Sequence, residues 1–171
     1  MLSAIRGKRL VYIGIAVLVI VAALLLGFLA RGKDQPVVAG QNIVVTVQSS
    51  SFENMYGYQF RLGYNPNEVE YVKDTLTSKN EEIVTIFSKP YPEYELVGAT
   101  MIGDKRGISG RNKDLCELVF TAKKDGMLSE FLFSVNDVNV VTLADVSAEL
   151  GYEEGVEGWR YKLSVQEQPQ P

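Results

Sequence analysis

MYGYQFRLGYNPNEVEYV, residues 55–72, alternates apolar and polar side chains. Tyr58, Phe60, Leu62 and Tyr64 fall on one side, and Gln59, Arg61 and Gly63 on the other. A period of two is the mark of a strand with one buried face. Asn65-Pro66-Asn67 stops it, because proline has no N–H for a ladder and fixes its own φ. Glu68 to Val72 extends again at once. The segment therefore predicts two strands joined by a tight turn, with Phe60 and Leu62 in the core and Arg61 outside.

The flanking sequence repeats the theme. Asn42 to Gln48 is a β-branched run, and Ser49-Ser50-Ser51 is expected to break it. Ile83 to Phe87, Tyr94 to Ile102, Leu115 to Ala122, Glu130 to Val135, Val138 to Leu143, Val146 to Leu150 and Trp159 to Val165 read as further strands. Leu118 and Phe120 are predicted core residues. Pro90 and Pro92 forbid a central strand locally. Asn136-Asp137 and the glycine- and charge-rich Gly103 to Asp114 read as turns. About nine short strands with turn signals between them argue an all-β sandwich or barrel, and a jelly roll suits paired faces.

Leu10 to Ala30 is a run of 21 residues without a charge. As a helix it would span about 30 Å, the thickness of a bilayer core. It is expected to be one uncleaved transmembrane helix. The rival reading is a cleaved signal peptide, whose apolar region is usually only about 7–15 residues long. Arg6, Lys8 and Arg9 precede the run, and Arg31 and Lys33 follow it. That favours a cytoplasmic N-terminus and an extracytoplasmic C-terminal domain. The expected organisation is a cytoplasmic N-terminus at 1–9, a transmembrane helix at 10–30, a linker at 31–41, a β-sandwich at 42–165 and a disordered tail at 166–171. Residues 35–171 carry 12 basic and 20 acidic residues. Nucleic-acid binding needs clustered Lys and Arg, so this acidic domain is not expected to bind nucleic acid.

Three blocks carry a resemblance. Gln59-Phe60-Arg61-Leu62-Gly63-Tyr64-Asn65-Pro66-Asn67, followed by Val69-Glu70-Tyr71-Val72, resembles the F-x-L-x-Y-D-P…L-E-V-V signature of cohesin domains. Leu115 to Lys123 (LCELVFTAK) is similar to that family's L-A-T-I-T-F-K-V-K strand, and Phe131 through Asp137-Val138 to Gly151 resembles its final pair of strands. The resemblance implies a nine-stranded jelly-roll β-sandwich related to bacterial carbohydrate-binding modules. It also implies a non-catalytic module that binds dockerins and so gathers polysaccharide-degrading enzymes outside the cell. Asn65 stands where the family has aspartate, and Gly57 and Gln59 stand where binding cohesins often have Asn and Asp. On this analogy the partner surface is the outer face carrying Gln59 and Arg61, extended by Glu70. The alternatives are direct polysaccharide binding and a structural or sensory membrane component that uses the same fold.

The chemistry available is narrow. The chain has no histidine, which removes Ser-His-Asp and Cys-His arrangements and histidine metal sites. Cys116 alternates into an apolar strand and reads as a buried small residue. Glu81-Glu82 and Glu153-Glu154 are neighbouring acids of the solvated-loop kind, and no D-x-D-x-D-G calcium ladder exists. No enzyme activity and no cofactor are expected, calcium being the one ion for which the acids offer oxygen ligands. For glycan stacking, Tyr91, Tyr94, Tyr152, Trp159 and Tyr161 are the candidate exposed rings, with Trp159 and Tyr161 foremost.

Overall fold

The computed structural model describes residues 34–83, 85–103 and 105–166. The apolar run at 10–30 and the tail beyond residue 166 lie outside the described residues. Among the described residues no helix is long and apolar enough to cross a membrane.

Among the described residues eleven strands follow in order: β1 (Pro36–Val37), β2 (Asn42–Tyr64), β3 (Val69–Tyr71), β4 (Thr77–Ser78), β5 (Thr85–Tyr91), β6 (Tyr94–Thr100), β7 (Ile108–Ala122), β8 (Gly126–Met127), β9 (Phe133–Thr142), β10 (Gly151–Glu154) and β11 (Trp159–Val165). β1 and β8 form a two-residue ribbon, and the other nine strands share one hydrogen-bonded network. That network doubles over because β2 belongs to both layers. Its first half pairs with β7 and β11, and its second half pairs with β6 and β9. One layer is therefore β11-β2-β7, with β3 and β4 on the far edge of β7. The other is β5-β6-β2-β9-β10. The result is an all-β sandwich.

The core is where the period-two reading put it. Phe60, Leu62, Leu118 and Phe120 are completely buried, together with Ile43, Val45 and Val47 from the first half of β2. Each large apolar side chain so buried stabilises the fold by roughly 1.5–3 kcal/mol.

Four expectations about strand boundaries fail for local reasons. Ser49-Ser50-Ser51 does not end a strand. Ser49 is buried and its hydroxyl donates to the Ser51 carbonyl at 3.0 Å, so the polar group is satisfied inside the sandwich. The register against β7 shifts between Val47/Gln48 and again between Phe52/Met55, and Asn54 adopts φ 51°. Bulges of this kind bend a strand without ending it, and here they carry β2 from one layer to the other. Asn136-Asp137 is likewise a bulge inside β9, with Asp137 at φ 49°. The Gly103 to Asp114 turn is shorter than expected, because β7 already starts at Ile108. A Cβ on Gly107 would lie 2.0 Å from the Asn54 carbonyl oxygen, so only glycine fits beside that bend. The strand expected at 146–150 is displaced to Gly151–Glu154, leaving Val146 and Leu150 exposed. The chain is already docked at Val37, within the stretch expected to be linker, since that side chain is buried and its neighbour Pro36 pairs with Met127. Pro90 sits in β5, an edge strand, where its missing N–H costs no ladder bond.

Candidate functional site

Both inner faces of a sandwich are spent on the core, so recognition falls to outer faces, edges and loops. The outer face of β5-β6-β2-β9-β10 carries Gln59 and Arg61. Register aligns its outward residues in rows across the sheet. Phe87, Gly98, Gln59, Asn139 and Glu154 form one row, and Thr100, Gly57, Val141 and Tyr152 form the next. Lys89, Leu96, Arg61 and Asn136 form a third.

The two glycines shape the face. A Cβ on Gly98 would lie 2.3 Å from the Phe87 ring, so the ring lies flat over the bare backbone of β6. Gly57 abuts the Ala99 carbonyl and Thr100. The outcome is a shallow groove of about 220 Å³ floored by Gly57, Gln59 and Gly98 and walled by Phe87 and Tyr152. Those two rings are 50% and 61% exposed.

The other end of the face is cationic and aromatic. Arg61 pairs with Asp137 at 2.8 Å and lies over the Tyr94 ring, 5.1 Å from its centroid. Tyr94 stacks on Tyr91 at 4.6 Å, and Lys89 caps Tyr91 at 5.5 Å. The Arg61–Asp137 pair is half-exposed and contributes only about 0–1 kcal/mol to stability. Its effect is positional: carboxylate and ring hold the guanidinium fork in one pose, with donors left for a partner carboxylate.

The residues expected to form the surface divide. Gln59 and Arg61 stand on this face, exposed as expected. Glu70 does not. The Asn65-Pro66-Asn67 turn passes the chain to the other layer, where β3 pairs with β7 and Glu70 meets Lys123 at 3.4 Å. Phe87 was read only as the end of a strand, and its partner Gly98 lies too far along the chain for local pattern to connect them.

Trp159 and Tyr161 are not free surface rings. Trp159 packs edge-on against Tyr58 at 5.3 Å and tilts against Phe60 at 5.6 Å. Its indole Nε1 is buried without a hydrogen-bond partner. Tyr161 packs against Phe133 at 5.9 Å, and its hydroxyl accepts the Phe133 N–H at 3.3 Å. The signal was present: β11 reads Trp-Arg-Tyr-Lys-Leu-Ser-Val, with Trp159, Tyr161, Leu163 and Val165 half-buried and the residues between them exposed. Of the five candidate rings, Tyr152 is the open one.

Burial pushes the Cys116 thiol up to about 12, so it is not a nucleophile at neutral pH. Among the described residues no group of three or more acidic or cysteine side chains is placed to hold a metal ion.

The cohesin domain family matches residues 32–148. Among solved structures, a cohesin module from a family 33 glycoside hydrolase of Clostridium perfringens is similar at 18% identity, covering 70% of this chain and 87% of that one with a TM-score of 0.47. No curated protein matches. Cohesin domains are non-catalytic docking modules for protein partners. The match spans more than half of the chain, and the chain belongs to the cohesin domain family.

Proposed function

We propose that this protein is a membrane-anchored docking module that holds a dockerin-bearing, polysaccharide-degrading enzyme at the cell surface. The observation that carries the docking half is the outer face of β5-β6-β2-β9-β10. It combines two exposed rings, Phe87 and Tyr152, with an oriented arginine, Arg61, in a cohesin domain. Aromatic residues and arginine dominate interface hot spots. The anchoring half is supported by the 21-residue apolar run and the basic residues before it. Direct polysaccharide binding has less support, because Trp159 and Tyr161 pack against the core and leave Tyr152 without a coplanar row.

Two results test this reading. External protease on intact cells should remove the β-domain and spare the apolar run, whereas protection until lysis would mean the opposite orientation. The full chain used as bait should retain a dockerin-bearing protein from the secreted proteins. Retention of glycans alone would contradict the docking reading.

A further inference from the structure

Glu95 lies on the inner side of β6, opposite Leu62 across the ladder, where strand alternation calls for an apolar residue. It is completely buried, and neither carboxylate oxygen has a hydrogen-bond partner. A buried carboxylate without a partner is among the most costly groups a core can hold. Apolar cores do not tolerate such a residue without return, so the question is what it meets.

Glu95 lines a pocket of about 410 Å³ between the two layers, at the edge formed by β3 and β5. Tyr64 and Tyr71 supply aromatic walls, and Ser88 and Pro90 of β5 close one side. The charged residues of the lining are three acids, Glu70, Asp74 and Glu95, and one base, Lys73. Glu70 is shared with Lys123, and the Tyr71 hydroxyl is bonded to Ser88 at 3.1 Å. The unpaired carboxylates of the lining are those of Asp74, which is exposed to water, and of Glu95, which is not.

We propose that this inter-layer pocket binds a primary ammonium group carried on a slim alkyl stem, with the Glu95 carboxylate as its acceptor. An ammonium offers three donors and a charge, and it reaches both oxygens, which are closed to water in this structure, by displacing the side chains that cover them. The tyrosine rings suit the stem and add cation–π attraction. The volume exceeds that of the head group and leaves room for several methylenes. A metal ion fits less well, since no three ligating side chains converge among the described residues. The same chemistry is found in a free alkylamine and in a lysine side chain.

Burial raises the Glu95 carboxyl to about 7. Ammonium binding needs the ionised form, so it should weaken about tenfold from pH 8 to pH 6 as that form becomes scarce. The other titratable groups at the pocket are Glu70, Asp74, Lys73, Tyr71 and Tyr64, and Tyr64 is raised by burial and by Glu95 and Glu70.

The test is calorimetric titration of the full chain in detergent, at constant ionic strength, with n-butylammonium and with Nα-acetyl-lysine methylamide. Saturable binding at pH 8, about tenfold weaker at pH 6 and at least tenfold weaker in Glu95→Gln, is expected. Tighter binding of the free amine or of the lysine derivative then tells which source the pocket prefers. No saturable binding by the wild type would overturn the proposal, as would equal binding by Glu95→Gln. Binding seen only in Lys73→Ala would also overturn it, by showing that Lys73 fills the site from within. Should Glu95→Gln fail to fold, the pH profile of the wild type decides: affinity unchanged between pH 6 and 8 would overturn the proposal.

Discussion

Phe60→Ala is expected to lower the unfolding free energy by about 3–5 kcal/mol, the upper range for a single core truncation. Phe60 is completely buried in the second half of β2, between Tyr58 at 6.0 Å and Trp159 at 5.6 Å. Trp159 belongs to the other layer, so the phenyl ring ties the two layers together. Removing it leaves a cavity that two sheets, pinned by their own ladders, cannot collapse to fill. Arg61→Ala, one residue along and on the outer face, is expected to cost no more than about 1 kcal/mol. Denaturant unfolding followed by the fluorescence of Trp159, the single tryptophan, reads both. A larger loss at Arg61 would mean the faces are exchanged, since a one-residue slip inverts every side chain.

Trp159→Ala is expected to be nearly as damaging, at about 2–4 kcal/mol, the ring being half-buried. The indole covers Tyr58 and Phe60 from β11, whose inward side is otherwise Tyr161, Leu163 and Val165. Trp159→Phe should keep most of the stability, within about 1.5 kcal/mol. Its missing N–H is no loss, because that group makes no hydrogen bond in the fold and carries a desolvation cost. Thermal melts by circular dichroism distinguish the two variants. An unchanged melt for Trp159→Ala, together with lost retention on glycans, would return Trp159 to the surface and favour polysaccharide binding.

How far the fold was legible depended on how local its causes were. Alternation is a local property, and it placed Phe60, Leu62, Leu118 and Phe120 in the core and Gln59 and Arg61 outside. Strand continuity was less legible. Serines and Asn-Asp pairs read as punctuation, yet Ser49 satisfies its own hydroxyl and stays in the ladder opposite Lys113, and Asp137 tolerates positive φ in a bulge. Which layer a strand joins is set by pairing across long stretches of chain. That is why Glu70, a few residues from Arg61, ends on the other layer.

The site was half legible. Arg61 could be found from its face, but its restraint by Asp137 and Tyr94 depends on three strands meeting. Phe87 and Gly98 form one feature only because β5 and β6 pair in that register. Glu95 was readable in principle: in Tyr94 to Thr100 it occupies the inward phase with Val97 and Ala99. A lone acid on that phase is a departure from pattern, and such departures are where function or strain is expected.

The most direct test of the account is where the partner docks. Equilibrium binding of a retained dockerin-bearing protein should be measured for the full chain, for the double variant Phe87→Ala/Arg61→Ala, and for Glu70→Ala, with melts confirming that each is folded. The double variant should weaken binding by at least about thirtyfold, as loss of about 2 kcal/mol from central anchors requires. Glu70→Ala, on the opposite layer, should leave the affinity unchanged. Full affinity in the double variant with loss in Glu70→Ala would place the partner on the β3-β7 side and contradict the account.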